Sequence, residues 1–274
     1  MKKSFLLLAL VLAAPCHAQI FQCTSSSGKT EFRDEPCDSK STAKDLTANL
    51  QAKSISSLDS IRDGQSICRP EFHTSGGNYR AGTAFVLDYP TRNAKALLVT
   101  AQHLFGPDGG MPQDIPWQSM PNQVSGADCS TLARNSRKIS SGSALALRDA
   151  QSFSRHGNNR DIAALPLKDT QPFAMKLAKS SPKPGDTVYL VAQLLGDSRS
   201  GLMHKGTVTG NKAGLLEFAY EGGGISLQAT SGAPVINESG EVVGIHVGAR
   251  GSLGQMTGLA VNLNQISSVL STLQ

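Results

Sequence analysis

The sequence predicts an all-β protein: two β-barrels packed together, closed by one C-terminal helix. Three observations carry this. Short alternating apolar runs recur between turn residues, as strands do. Glycine is abundant, at 27 of 274 residues, while aromatics make up only 5%. Clear helical spacing comes at the very end, where Leu263, Ile266, Val269 and Leu270 recur between Asn262 and Leu270. The length accommodates one domain of about 200 residues with a small appendage.

The chain begins with Lys2 and Lys3, an apolar run from Phe5 to Ala14, and Pro15-Cys16-His17-Ala18. A basic start, a short apolar stretch and a final small residue are the parts of a secretory signal. The run is too short to cross a bilayer, which takes roughly 20 apolar residues. Residues 1–18 are therefore expected to be removed after Ala18, leaving no integral membrane segment. A lipid anchor on Cys16 is the rival, and Pro15 argues against it. Export of this kind implies a periplasmic or extracellular location.

Cleavage removes two lysines and no acid, so the formal charge falls from +5 to +3. With no dense Lys/Arg block, nucleic acid is not an expected partner. Four cysteines remain, Cys23, Cys37, Cys68 and Cys129, an even set that suits two disulfides in an exported chain. Of the three pairings, Cys23–Cys37 with Cys68–Cys129 keeps each bond inside one module. No Cys-x-x-Cys or Cys/His cluster supports a metal, and no organic cofactor is implied.

Residues 19–40 alternate as two short strands, Ile20–Cys23 and Lys29–Arg33, around Ser-Ser-Ser-Gly. An isolated hairpin is marginal in water, so a Cys23–Cys37 clip has a physical task there. Residues 41–65 are polar, with Leu46, Leu50, Leu58 and Ile61 loosely on one face, and read as a linker or weak helix. From residue 66 to 274 the strand signals crowd. Gly82–Leu87 and Ala96–Thr100 form one pair. Later come Ile162–Leu167, Val188–Leu194, Gly206–Thr209, Leu215–Tyr220, Val242–Val247 and Leu259–Val261. Between Phe105 and Ser143 the pattern dissolves into Gly, Pro, Ser and Asn, so long surface loops are expected.

Three short strings carry chemistry. His103 follows the apolar strand that ends in Thr100-Ala101-Gln102, where a side chain can leave the sheet for a cleft. Asp161 opens Ile162-Ala163-Ala164-Leu165, and a carboxylate entering a buried strand needs a hydrogen-bonding partner. Ser231 stands in Ala229-Thr230-Ser231-Gly232-Ala233-Pro234, where small residues let the backbone fold close to the hydroxyl. A serine needs a base to take its proton, and the base needs an orienting acid. His103, Asp161 and Ser231 supply those roles, and the N–H groups of Ala229 and Ser231 would converge on an oxyanion.

Thr-Ala-x-His, Asp-Ile-Ala and Ser-Gly-x-Pro at these places resemble the motifs of the chymotrypsin-fold (trypsin-like) serine endopeptidases over residues 66–274. The resemblance implies two six-stranded antiparallel barrels with the site between them, and peptide-bond hydrolysis through an acyl-enzyme. The string from Ile20 to Cys37 is similar to a small N-terminal domain of unknown function common in exported proteobacterial proteins. Two departures stand in the serine motif. Ala229 occupies a place usually held by Gly, and alanine lacks glycine's freedom at positive φ. Thr230 replaces the Asp with which animal members pair a newly cut N-terminus, so a bacterial type without that switch is expected.

His246, in Gly244-Ile245-His246-Val247-Gly248, and Ser226, five residues before Ser231, resemble pocket residues of bacterial glutamyl endopeptidases and picornaviral chymotrypsin-like cysteine proteases. That similarity implies Glu or Gln before the scissile bond. Ile225, where a basic-specific pocket would carry an acid, opposes trypsin-like preference. Two other classes compete with an exported serine endopeptidase acting on polypeptides. A catalytically inactive, protease-like binding protein of the envelope would be favoured by Ala229 and Thr230. A structural envelope protein led by residues 19–40 would keep full function after Ser231→Ala.

Overall fold

A computed structural model describes residues 21–25, 30–33, 41–45, 58–153, 159–196, 201–222, 225–252 and 255–273. The signal segment 1–18 and Cys37, with the proposed Cys23–Cys37 bond, lie outside the described residues. The chain divides into two compact units, 1–54 and 55–274.

In the first unit, β1 (Phe21–Ser25) pairs antiparallel with β2 (Thr30–Arg33), the hairpin read from the sequence. Its other edge carries β3 (Ser41–Asp45), in a stretch the sequence reads as linker. Ser-Thr-Ala-Lys-Asp has no apolar alternation of its own, so its strand state comes from the free edge of β1 rather than from local pattern.

The second unit opens with α1 (Leu58–Arg62), followed by two β-lobes. The first lobe holds β4 (Ile67–Thr74), β5 (Gly77–Arg80), β6 (Ala84–Leu87), β7 (Ala96–Thr100), β8 (Val124–Thr131), β9 (Lys138–Ser140) and β10 (Ala163–Leu167). Their order is β10-β7-β6-β4-β8-β9, with β5 on β4. Where six strands closed by ladders were expected, seven form a curled sheet. Residues 142–145 bridge its two ends: Ala144 N–H donates to Val124 O beside β9, and Gly142 and Leu145 N–H donate to Pro166 and Ala164 O of β10. Each of these bonds is 2.9 or 3.0 Å long.

The second lobe is the expected six-stranded barrel. It closes as β11 (Thr187–Val191), β12 (Met203–Lys212), β13 (Leu215–Tyr220), β16 (Gln255–Asn262), β15 (Val242–Ser252) and β14 (Pro234–Ile236). Its chain then enters α2 (Leu263–Leu270). Asn262 caps this helix, its side-chain oxygen accepting the Gln265 N–H at 3.1 Å. Leu263, Ile266, Val269 and Leu270 are all buried, as their spacing predicts.

Strands β4, β5, β8 and β9 are the main departure from the sequence reading, two of them inside the stretch expected to be loop. Val124-Ser-Gly-Ala-Asp-Cys-Ser-Thr offers small and polar residues, a weak strand signal. It is held by pairing with β4 from Cys68↔Thr131 to Thr74↔Val124 and by the buried disulfide Cys68–Cys129, whose Cα atoms are 5.7 Å apart. Long-range pairing overrides the local propensity here. By contrast β7 is buried along its whole length. Burying Leu97, Leu98 and Val99 contributes about 1.5–3 kcal/mol each, which anchors the strand that delivers His103.

Candidate active site

The strand pairing that buries β7 also assembles the first half of the site. β10 runs antiparallel to β7 with Ala163 opposite Thr100. Continued past the strand ends, this register sets Asp161 beside the turn Gln102–Phe105, which contains His103. Asp161 is fully buried and grips that turn twice. Its Oδ1 accepts the His103 N–H at 2.8 Å, and its Oδ2 lies 2.5 Å from His103 Nδ1. The carboxylate that a buried strand opening demands is thus satisfied by the histidine.

His103 is 5% exposed. Burial pulls the pKa of its imidazole down. The hydrogen bond and charge of Asp161, with Asp108 and Asp114 farther off, outweigh burial and hold it above the ordinary histidine value. A bonded Nδ1 leaves Nε2 as the ring atom free to act as a base.

The serine turn is built from the second lobe and clamped by the first. Ser231 O accepts the Thr83 N–H at 2.8 Å, and Ala229 O accepts from Thr83 Oγ1 at 2.8 Å. Thr83 O in turn accepts from Thr100 Oγ1 at 2.7 Å, which links the clamp to the strand before His103. Gly232 has φ +84°, and a side chain there would run into Thr100 Oγ1 and Thr83 O. Only glycine lets the Ser231 backbone come this close to the His103 strand. On the far side Gly232 N–H donates to His246 O, and His246 N–H to Ala233 O, both at 2.8 Å.

Ala229 adopts φ +59° despite its side chain. It is the third residue of a turn in which Thr230 N–H donates to Leu227 O at 3.3 Å. A positive φ at this position is the geometry of a type II turn, which usually takes glycine. The N–H groups of Ala229 and Ser231 have no hydrogen-bond acceptor among the described residues. They are two donors, one on each side of Thr230 in the chain, left available to an oxygen.

Ser226 and His246 fall in different surroundings. Ser226 donates from its hydroxyl to Leu195 O at 2.7 Å. His246 on β15 is 1% exposed and has both ring nitrogens occupied. Nδ1 lies 3.2 Å from Thr230 Oγ1, and Nε2 lies 3.2 Å from Tyr220 Oη. Thr230 Oγ1 already donates to Leu227 O at 2.7 Å, so it can only accept from His246. That assigns one proton order: Tyr220 O–H to Nε2, Nδ1–H to Thr230 Oγ1, Thr230 O–H to Leu227 O. Burial pushes the His246 pKa down to about 4, which keeps the ring neutral as this order requires. Burial also raises the Tyr220 hydroxyl far above its ordinary value, so it stays a donor.

Thr83 and Tyr220 are absent from the sequence reading of the site. The string Gly82-Thr83 preceding a strand and Tyr220 ending one are locally unremarkable. Their roles arise from partners far along the chain.

Fold and site together define a chymotrypsin-fold protein, with the paired His103 and Asp161 in one lobe and the Ser231 turn in the other. Residues 82–245, more than half of the chain, match the trypsin-like peptidase domain, and the chain belongs to that family. Among solved structures it is similar to a serine endoprotease from Yersinia pestis. That match is 15% identical, with a TM-score of 0.51, over 81% of this chain and 66% of the other. The HtrA-type protease AlgW with a tripeptide is 14% identical with a TM-score of 0.49, over 78% of this chain and 61% of that one. The chain therefore spans about two thirds of the length of these relatives. No curated protein matches it significantly. Among the described residues, no helix is long and apolar enough to cross a membrane.

Proposed function

We propose that this protein is an exported serine endopeptidase that hydrolyses polypeptides through an acyl-enzyme. The observation that carries the proposal is the buried His103–Asp161 pair held against the Ser231 turn by Thr83 and Gly232. In this reading, His103 Nε2 takes the Ser231 Oγ proton as Oγ attacks the substrate carbonyl carbon. Asp161 stabilises the imidazolium that forms. The N–H groups of Ala229 and Ser231 receive the oxyanion, a contribution of about 3–4 kcal/mol per lost donor in comparable sites. Collapse of the tetrahedral species breaks the C–N bond, and the imidazolium passes its proton to the departing amine. Water, deprotonated by His103, then releases the acyl group.

Ala229 and Thr230 are the sequence features that favour the alternative, an inactive binding protein of the envelope. The positive φ of Ala229 supports catalysis instead, because the turn takes up the glycine-like conformation with an alanine in place. Covalent labelling by an organophosphonate separates the two. Labelling of Ser231 in the oxidised protein, absent from Ser231→Ala, is the expected result. An unlabelled wild type would favour the binding protein over the peptidase.

A finer proposal concerns the residue before the scissile bond. The resemblance of Ser226 and His246 to pocket residues of Glu- and Gln-preferring enzymes supports Glu or Gln there, and the proton order around His246 favours Gln. With Nδ1–H given to Thr230, Nε2 is an acceptor. A glutamine amide N–H replacing the Tyr220 hydroxyl is matched by that lone pair, whereas a carboxylate meets it lone pair to lone pair. Profiling on a peptide library at neutral pH should show cleavage after Gln above Glu. Cleavage after Arg, Lys or large aromatics would overturn this preference. Export to the periplasm or beyond rests on residues 1–18, and mass spectrometry of the mature N-terminus should find Gln19 first.

A further inference from the structure

An open groove of about 630 Å³ runs away from the serine turn, beginning at Ala229 and Gly82 and reaching Arg69 and Lys138. It lies on the first-lobe side of Ala229. In the endopeptidase reading, β15 on the other side walls the pocket for the residue before the scissile bond. The groove is therefore where the segment after that bond would pass.

Its floor is the outward face of β4 and β8. Along β4, Cys68, Pro70 and Phe72 turn inward, leaving Arg69 and Glu71 outward and half-buried. The ladder sets Arg69 opposite Ser130, Glu71 opposite Asp128 and, on the other edge, Glu71 opposite Arg80. Lys138 stands opposite Ser130 on β9. The charges pair off across the strands: Arg80 with Glu71 at 2.8 Å and Lys138 with Asp128 at 3.3 Å. Arg69 is the exception. Its Nη2 donates to Gln193 O at 2.9 Å and its Nε to Gln193 Oε1 at 3.2 Å, both neutral acceptors. Among the described residues it meets no carboxylate, and Nη1 has no partner. Burial lowers the pKa of this guanidinium, consistent with a cation partly stripped of water.

We propose that Arg69 forms an acid-selective subsite for the part of the substrate that follows the scissile bond, binding an Asp or Glu side chain of the leaving segment. This rests on the endopeptidase reading for its orientation. With the Nε–Nη2 edge on Gln193, the remaining Nη1–Nη2 edge offers two parallel N–H donors to a carboxylate, the bidentate geometry arginine recognises best. The Gln193 bonds hold the fork in place beforehand, so little side-chain entropy is lost on binding. Glu71 and Asp128 are already neutralised by Arg80 and Lys138, so the surplus charge of the groove is positive and lies at Arg69.

The test uses a neutral fluorescent octapeptide with Gln before the scissile bond, and variants with Asp or Glu at each position after it. Binding is read by anisotropy on the Ser231→Ala full chain, and kcat/KM on the wild type. One acidic position should tighten binding about five- to tenfold. Arg69→Gln should abolish that difference, and Arg69→Lys should keep part of it. Raising salt from about 50 mM to about 500 mM should shrink it in Ser231→Ala alone, an arm independent of any folding defect at Arg69. A preference that survives Arg69→Gln, or no preference at all, overturns the subsite. If the wild type cleaves peptides without regard to the acid, the subsite falls and the peptidase stands. If acidic peptides bind through Arg69 and nothing is cleaved, the acid site stands and the peptidase falls.

Discussion

Thr83 Oγ1 donates to Ala229 O across 2.8 Å, joining residues 146 positions apart in the chain. With its own N–H on Ser231 O, Thr83 holds both sides of the serine turn from the opposite lobe. Thr83→Val keeps the shape and removes the hydroxyl, leaving Ala229 O without its donor while the bond from Thr100 Oγ1 to the Thr83 backbone O stays. A lost hydrogen bond of this kind is worth about 1 kcal/mol. We expect kcat on a peptide substrate to fall about five- to tenfold with KM little changed, because in the proposed mechanism this turn meets the transition state. An equal loss in thermal stability with unchanged kcat would show the clamp to be structural only.

Ala229→Gly probes the same turn from the other direction. A non-glycine residue at φ +59° carries a conformational penalty of about 1–2 kcal/mol. Glycine removes it, while gaining unfolded-state freedom that offsets roughly half to all of the benefit. Thermal stability should therefore stay level or rise by a few degrees, and kcat should not fall. Ala229→Val, with a branched side chain at positive φ, should lower both, and melting curves with initial rates will show it.

Asp161→Asn should lower kcat by about 10⁴, the scale seen when the orienting carboxylate of such a pair is neutralised. The pH profile supplies an independent check. Asp161 raises the His103 pKa in the folded protein. The protonated pair therefore adds stability that is fully present below about pH 6.5 and is lost as pH rises through the elevated folded value. In the proposed mechanism activity runs the opposite way, because there only neutral His103 can take the Ser231 proton. The acid limb of kcat/KM should lie above pH 6.5 in the wild type and move down in Asp161→Asn.

His246 titrates with the reverse sign. Its folded pKa, about 4, lies below the unfolded value near 6.5. Stability is whole above pH 6.5 and declines as pH falls toward 4, by roughly 3 kcal/mol at most. Protonation would put a hydrogen on Nε2 facing the Tyr220 O–H, donor against donor, while Nδ1–H keeps its bond to Thr230. Urea midpoints at pH 7, 5.5 and 4.5 should drop steeply in the wild type and less in His246→Gln. Tyr220→Phe, which removes the hydrogen bond that favours a neutral Nε2, should raise the folded pKa toward 6.5 and make the decline shallower.

The Thr-Ala-x-His, Asp-Ile-Ala and Ser-Gly-x-Pro strings, the apolar strand before His103 and the capped helix from Leu263 were all readable from neighbouring residues. Local patterning records which face is buried, where a strand ends and where a backbone must be bare. It does not record partners. That β8 is a strand follows from pairing with β4 and the Cys68–Cys129 bond, because small polar residues specify no face of their own. That Ala229 can stand in for glycine follows from the Thr83 clamp, whose bonds cross between lobes. That His246 is neutral, with a defined proton order, follows from Tyr220 and Thr230 closing around it. That Arg69 is the unpaired charge of its groove follows from the register of four strands and a loop from the second lobe. The sequence thus determined the chemistry on offer and the architecture in outline. Hydrogen-bond partners, protonation states and charge balance were decided by tertiary packing, since each depends on groups brought together only after the two lobes meet.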